Sequence, residues 1–307
     1  MKISMLCSFE AAGDSPVDKF VAQLVALRDE GFGRVWATQM PYDADAMTVL
    51  AVAFREVERI ELGTAVVPIQ IQHPMLMAQR ALTLNLISGG RFILGIGLSH
   101  QIVSEGMWGV PWEKPVRRLR EYLNGLLPLL AGEPADASGA TVTARGALRI
   151  PNAPAPEVYV AALGPQMLRL AGQRSAGTVT WMTGPKTLAG HIGPTLREAA
   201  AEAGRPDGAV SVAAALPVSV TDDTDAARAQ AASQFAIYGQ LPSYRAMFDR
   251  EGLAAPEDAA LIGDEATVSQ RIDEIRAAGV DEFIGIAFDS DAEVRARTRA
   301  VLRRCEG

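Results

Sequence analysis

The stretch GRFILGIGLSH, residues 90–100, ends an apolar run on a serine and a histidine. An imidazole placed directly after a strand can act as an acid, a base or a hydrogen-bond donor, which makes His100 the first candidate for proton transfer. The other two histidines read differently. His73 precedes Pro74 at a helix start and reads as a loop and capping residue, and His191 lies inside a helical pattern and reads as structural. No two of the three have metal-ligand spacing and no carboxylate cluster accompanies them, so no metal site is expected. In the same stretch Gly95 and Gly97 stand two apart and share one face of a strand. A bare face there either leaves a groove for a flat ligand or reflects tight packing of the core.

A second pattern concerns anions. ALGPQMLRLAG and MTGPKTLAG each pass from a strand end through Gly-Pro into a helix, at Gly164-Pro165 and Gly184-Pro185. Proline suits a first helical position, and the next amides, from Gln166–Met167 and Lys186–Thr187, are then expected to be free. Free amides at a helix N-terminus attract phosphate and other anions. Thr183 adds a hydroxyl and Lys186 a charge beside the second start. The pattern reads equally well as ordinary punctuation between strand and helix.

The elements that must position these residues alternate along the chain. Strands are expected at Lys2–Cys7, Arg34–Gln39, Ile60–Ile69, residues 91–97, Val158–Leu163, Gly177–Met182, residues 209–220 and Asp281–Phe288, and a hairpin in ATVTARGALRI, residues 140–150. Helical patterns fill the intervals. The first carries Pro16 at its first position and Gly31 beyond its end, and the third is stopped by Gly89-Gly90. A long helical region spans residues 224–278, interrupted near Gly239 and Pro256. Most strands are apolar on both faces, as parallel strands covered by helices are. Eight of them in sustained alternation over 307 residues predict an α/β fold, a (β/α)8 TIM barrel with insertions, rather than a doubly wound open sheet. The expectation is one domain over residues 1–307, with 224–278 an insertion region inside it. Sites in such barrels lie at the C-terminal strand ends, which here are Ser8–Glu10, Thr38–Met40, Ala65–Gln70, Gly95–His100, Leu163–Gln166, Met182–Lys186, Leu216–Ser219 and Ala287–Asp289.

Composition narrows the function. A formal net charge of −7 speaks against nucleic acid and against an anionic membrane surface as partners. Cys7 and Cys305 stand at opposite ends of the chain, which fits a reducing, cytoplasmic setting. No apolar leader and no membrane-length apolar run is visible. Serine-nucleophile, P-loop and GxGxxG motifs are absent.

With these residues in view, the chain resembles the bacterial luciferase-like superfamily of flavin and deazaflavin oxidoreductases. The likeness is carried by ELGTAVVP, HPMLMAQRALTL, SGGRFILGIGLSH, REYLNGLLPLL, VYVAALGPQMLRLAG, GTVTWMTGPKT and LPSYRAMFDREG, which together span nearly the whole chain. The branch it looks most like uses coenzyme F420, with FMN the alternative cofactor. The resemblance implies a luciferase-like barrel, a homodimer and hydride transfer to or from a small organic substrate. It implies a non-proline cis peptide at Ala65–Val66, behind the cofactor ring. It places Gly95, Gly97, Leu98 and Ser99 beside the ring. It assigns the cofactor's anionic tail to Leu163, Gly164, Pro165 and Gln166 and to Met182, Thr183, Gly184 and Lys186. Many deazaflavin relatives carry an acid followed by histidine at the end of the second strand. Gln39-Met40 stands there in this chain, which moves the proton-transfer role to His100, with Gln39 the second candidate catalytic residue beside it. Met40, Trp108, Trp112 and Trp181 form an apolar set suited to a flat or apolar substrate. Two rivals are a two-component FMN monooxygenase and a barrel that binds its ligand without turnover.

Overall fold

The structure is a computed structural model of the chain, and it describes residues 1–9 and 15–306. Glu10, in the first of the expected strand-end stretches, lies outside the described residues. The strands are β1 (Lys2–Cys7), β2 (Arg34–Ala37), β3 (Glu61–Thr64), β4 (Val67–Pro68), β5 (Phe92–Gly97), β6 (Ala135–Ser138), β7 (Thr143–Gly146), β8 (Glu157–Ala161), β9 (Gly177–Trp181), β10 (Ser211–Val220), β11 (Leu261–Gly263) and β12 (Glu282–Ala287). The hydrogen-bonded order β10-β12-β1-β2-β3-β5-β8-β9 returns to β10, because β9 and β10 also pair. This is the closed eight-stranded parallel ring of a (β/α)8 barrel, the expected fold class.

The chain divides into two compact units. The first comprises Met1–Leu6, Glu30–Phe32 and Ala162–Gly307. Its centre is β10, whose ten residues are buried along nearly their whole length. On one side β10 pairs with β12 from Ala213 to Val218. On the other it pairs with β9 as far as Ala215 and then with β11 from Val218. Pro217 falls in the gap between those two partners, where no strand on that side asks for the N–H that proline lacks. The helical region expected across residues 224–278 is broken near Gly239 and Pro256, as expected, and also by the strand β11, which was not expected. Leu261–Gly263 is too short to show a period, and it is a strand because β10 outruns β9 and offers it an edge.

The second unit comprises Cys7–Asp29 and Gly33–Ala161. Here β2, β3, β5 and β8 pair in parallel. The helix Pro74–Ser88 is capped by His73, whose Nδ1 accepts from the Met75 amide at 3.2 Å, as its loop position predicted. Its C-terminal end closes on left-handed Gly89 and Gly90, with the Gly90 amide on the Asn85 carbonyl. Arg91 then ties three elements by donating to the carbonyls of Val57, Ile60 and Ser88. The SGGRF segment is therefore structural. Two further boundaries differ from expectation. The hairpin runs over β6 and β7, starting five residues before the predicted 140 because Ala135 and Ala137 alternate inward. The third strand is split after Thr64 by a non-proline cis peptide at Ala65–Val66, which is the bond the resemblance singled out.

Candidate active site

In the second unit, the strand ends gather around that cis bulge. The Thr64 hydroxyl donates to the Gly95 carbonyl at 2.8 Å and accepts from the Gly95 amide at 3.0 Å. A Cβ added at Gly95 would lie 1.8 Å from the Thr64 carbonyl oxygen, and one at Gly97 would lie 2.7 Å from a Val66 methyl. The two glycines are bare because the bulge occupies the space in front of them. This corrects the reading of an open groove: tight packing, the alternative, is what the sequence encodes there, against backbone at Gly95 and against side chains at Gly97.

Polar groups at these ends are unevenly satisfied. Gln70 is 6% exposed; its Oε1 accepts from the Ser99 amide at 3.2 Å, and its backbone carbonyl accepts from Arg118 at 3.1 Å. Its Nε2 is buried without a partner among the described residues, as is Oγ1 of Thr38. A buried donor or hydroxyl left unpaired costs about 1–3 kcal/mol, so such atoms at strand ends mark places where a ligand can complete the set. Gln39 is already engaged. Its Oε1 accepts from the Ala46 amide at 2.7 Å and its Nε2 donates to the Met40 carbonyl at 3.3 Å, so it fixes the loop that starts the next helix. His100 is half-buried at the cap position of the helix Gln101–Gly106 and makes no side-chain capping bond to it. Burial holds its pKa below the ordinary histidine value, which keeps the ring neutral near pH 7. Leu98, Ser99, Met40 and Trp108 are half-buried.

In the first unit, the two Gly-Pro helix starts can be compared directly. At Gly164-Pro165 the chain is exposed through Gln166, and a Cβ at Gly164 would meet nothing within 4 Å. The Met167 amide, expected free, turns back onto the Gly164 carbonyl at 3.1 Å. No side chain caps this start. Leu163, just before it, gives its carbonyl to Nε2 of His191 at 2.8 Å. His191 sits on a π-helical turn, Leu188–Ile192, inside the helical run that follows β9, and its role is structural as expected.

The second start is different. Met182 adopts a left-handed conformation, φ 53°, and turns the chain out of β9 into Thr183, Gly184 and Pro185. Thr183 is buried, with its hydroxyl on the Trp181 carbonyl at 3.3 Å. The amides of Lys186 and Thr187 were expected to be free for an anion. They donate instead to Oε1 and Oε2 of Glu251, at 3.1 and 2.8 Å, and the Thr187 hydroxyl donates to Oε2 at 2.8 Å. Glu251 is 65 residues away at the end of the helix Pro242–Glu251, just before left-handed Gly252. Nothing local in the sequence announces it beyond a glutamate at a helix C-terminus, where a negative charge is normally disfavoured.

Also in this unit, Trp181 packs edge-on against Phe235 and Tyr238, with ring centroids 5.7 and 5.8 Å away. Phe288 and Tyr244 extend the cluster. Burial pushes the Tyr244 phenol well above its ordinary range, so it stays protonated. Nε1 of Trp181 and Oγ1 of Thr180 are buried without partners among the described residues.

Among the described residues no group of three or more His, Cys, Asp or Glu side chains is placed to hold a metal ion, and no helix is long and apolar enough to cross a membrane.

Comparison with known proteins agrees with this architecture. The chain is 32% identical to a 5,10-methylenetetrahydromethanopterin reductase of Methanolobus tindarius over 233 residues, 76% of this chain and 70% of the relative. It is 31% identical over 242 residues to a candidate coenzyme F420-dependent oxidoreductase of Mycobacterium tuberculosis, covering 74% and 69% of the two chains. Its fold matches that of the coenzyme F420-dependent tetrahydromethanopterin reductase of Methanopyrus kandleri with a TM-score of 0.81 at 23% identity, over 98% of this chain and 96% of the other. The family model for luciferase-like monooxygenases matches residues 1–282, and the chain is an enzyme of that family.

Proposed function

We propose that the chain is a coenzyme F420-dependent oxidoreductase that transfers a hydride between the deazaflavin and a small organic substrate. The observation that carries this reading is the 31% identity, over three-quarters of the chain, to a relative named for F420-dependent oxidoreduction. When bound, a deazaflavin supplies two-electron hydride chemistry at a ring carbon and does not readily activate oxygen.

The chain's own residues have two tasks. In the second unit, the Ala65–Val66 bulge, Leu98 and Ser99 back the ring, with Gly95 and Gly97 acting through the bulge they admit. The unpaired Nε2 of Gln70 and Oγ1 of Thr38 suit the ring's polar edge. His100 gives or takes the proton that accompanies hydride transfer. Its depressed pKa favours the neutral ring at pH 7, which is ready to accept a proton. Met40 and Trp108 on this unit offer apolar surface to a flat substrate, and Gln39 holds the Met40 loop. In the first unit, the open helix start at Leu163–Gln166 suits the anionic tail, and Trp181 offers an aromatic wall with an unpaired N–H. The donors at Thr183, Gly184 and Lys186 do not fit that tail, because their seat is filled. A cytoplasmic homodimer belongs to the same proposal.

The test is titration of the purified protein with F420 and with FMN, following the absorbance of each. The proposal predicts saturable F420 binding and no comparable FMN binding, with substrate-dependent oxidation of the reduced deazaflavin. His100→Ala is expected to slow that oxidation by about 10²–10⁴-fold while F420 still binds. Tighter binding of FMN than of F420 contradicts the proposal.

A further inference from the structure

The helix start at Gly184–Lys186 has the look of an anion site in sequence, and in the structure an anion of the protein's own stands in it. Two amides and one hydroxyl converge on the Glu251 carboxylate at 2.8 to 3.1 Å. The Lys186 ammonium does not face an open seat either: it donates to the Glu251 backbone carbonyl at 3.4 Å, at the C-terminus of the helix that Glu251 ends. Gly184 completes the enclosure, since a Cβ there would lie 2.4 Å from the Glu251 carboxyl carbon. The glutamate is 8% exposed, so this is an internal contact and not a surface ion pair.

These observations have one electrostatic consequence. The donors at a helix start favour one anion, and a second placed against the first meets like-charge repulsion with little water to screen it. A phosphate entering here would displace a buried carboxylate that keeps three hydrogen bonds. We infer that Glu251 is the resident anion of the Gly184–Lys186 helix start and excludes external phosphate from it, making it a residue that decides which helix start can hold a phosphate-bearing ligand. The consequence for cofactor binding rests on the proposed function; the exclusion itself does not.

The experiment compares the wild type with Glu251→Ala and Glu251→Gln, using inorganic phosphate as the probe. Thermal melting is recorded against phosphate and against chloride at matched ionic strength. The wild type is expected to show no saturable phosphate shift. Glu251→Ala is expected to melt several degrees lower and to regain a substantial part of the loss saturably with phosphate but not chloride. Glu251→Gln, whose side chain still fills the space and keeps one accepting oxygen there, is expected not to respond. A saturable shift in the wild type as large as in Glu251→Ala overturns the inference, as does a folded Glu251→Ala that is insensitive to phosphate.

A second measurement stands apart from whether Glu251→Ala folds. Lys186→Ala is titrated with F420 and with the same deazaflavin lacking its phosphate tail. Both affinities are expected to stay within about threefold of wild type, and a loss of about tenfold or more for F420 alone overturns the inference. A wild type that binds neither deazaflavin counts against the proposed function, and the phosphate melting then decides this inference by itself.

Discussion

The two Gly-Pro helix starts of the first unit are nearly the same in sequence and opposite in circumstance. Gly164 and Gly184 have similar backbone angles, φ −78° and −82°, and each is followed by proline at the first helical position. Neither glycine is required by its φ. Around Gly164 there is open space, while Gly184 is buried against Glu251. The same local motif therefore specifies a helix start but not what its first amides meet: the Met167 amide turns back onto the Gly164 carbonyl, whereas those of Lys186 and Thr187 find Glu251, far away in the chain. One start is left for solvent or ligand, and the other is completed by the protein.

The contrast can be broken by substitution, and the largest effect is expected at its centre. Glu251→Ala leaves two amides and a hydroxyl without their acceptor, two of these three donors being on the buried Thr187. A loss of about 2–4 kcal/mol is expected in denaturant unfolding. Gly184→Ala comes next. Its methyl group must push the Glu251 carboxyl aside, at a cost of about 1–3 kcal/mol. In the Glu251→Ala background the same substitution is expected to cost little, so the double-mutant cycle has a coupling energy of about 1 kcal/mol or more. Gly164→Ala, the matched control, meets nothing and is expected to shift stability by no more than about 0.5 kcal/mol. Equal costs at Gly164 and Gly184 would erase the comparison.

A smaller effect concerns pH. His100 has its folded-state pKa lowered by burial, so the unfolded chain takes up this proton first as pH falls. The sign is then fixed. Its contribution is neutral above the unfolded value of about 6.5 and becomes destabilising as pH drops from there through the folded pKa. Unfolding measured across that window in wild type and His100→Gln is expected to show a shallower acid loss in the variant. Identical slopes would mean that His100 is not desolvated.

Much of the barrel was legible because its signals are local. The continuous apolar runs of β1, β5 and β10, Pro16 and Gly31 at the two ends of the first helix, and the Gly89-Gly90 stop all act within one element. The short strand β11 was not legible, because Leu261–Gly263 is a strand only by courtesy of the overhanging end of β10. The glycines at 95 and 97 were recognised as special, but their cause was not. A bare face looks the same in sequence whether backbone or ligand comes close, and here the backbone of Thr64 and the side chain of Val66 do. Glu251 was invisible for the same reason: its partners are 64 and 65 residues away. Gln70 could have been found, as a lone amide ending the apolar run of VVPIQ.

The most direct test transplants the difference between the two starts. Gly164→Asp puts a carboxylate at the cap position of the open start, with a backbone angle that aspartate readily adopts. Its effect on stability is expected to be only a few tenths of a kcal/mol. The measurement is the affinity for F420 relative to the same deazaflavin without its phosphate tail, in wild type and variant. The account predicts that the tail's advantage, present in the wild type, falls about tenfold or more in Gly164→Asp while the tail-less affinity holds. An advantage that survives Gly164→Asp unchanged would contradict it.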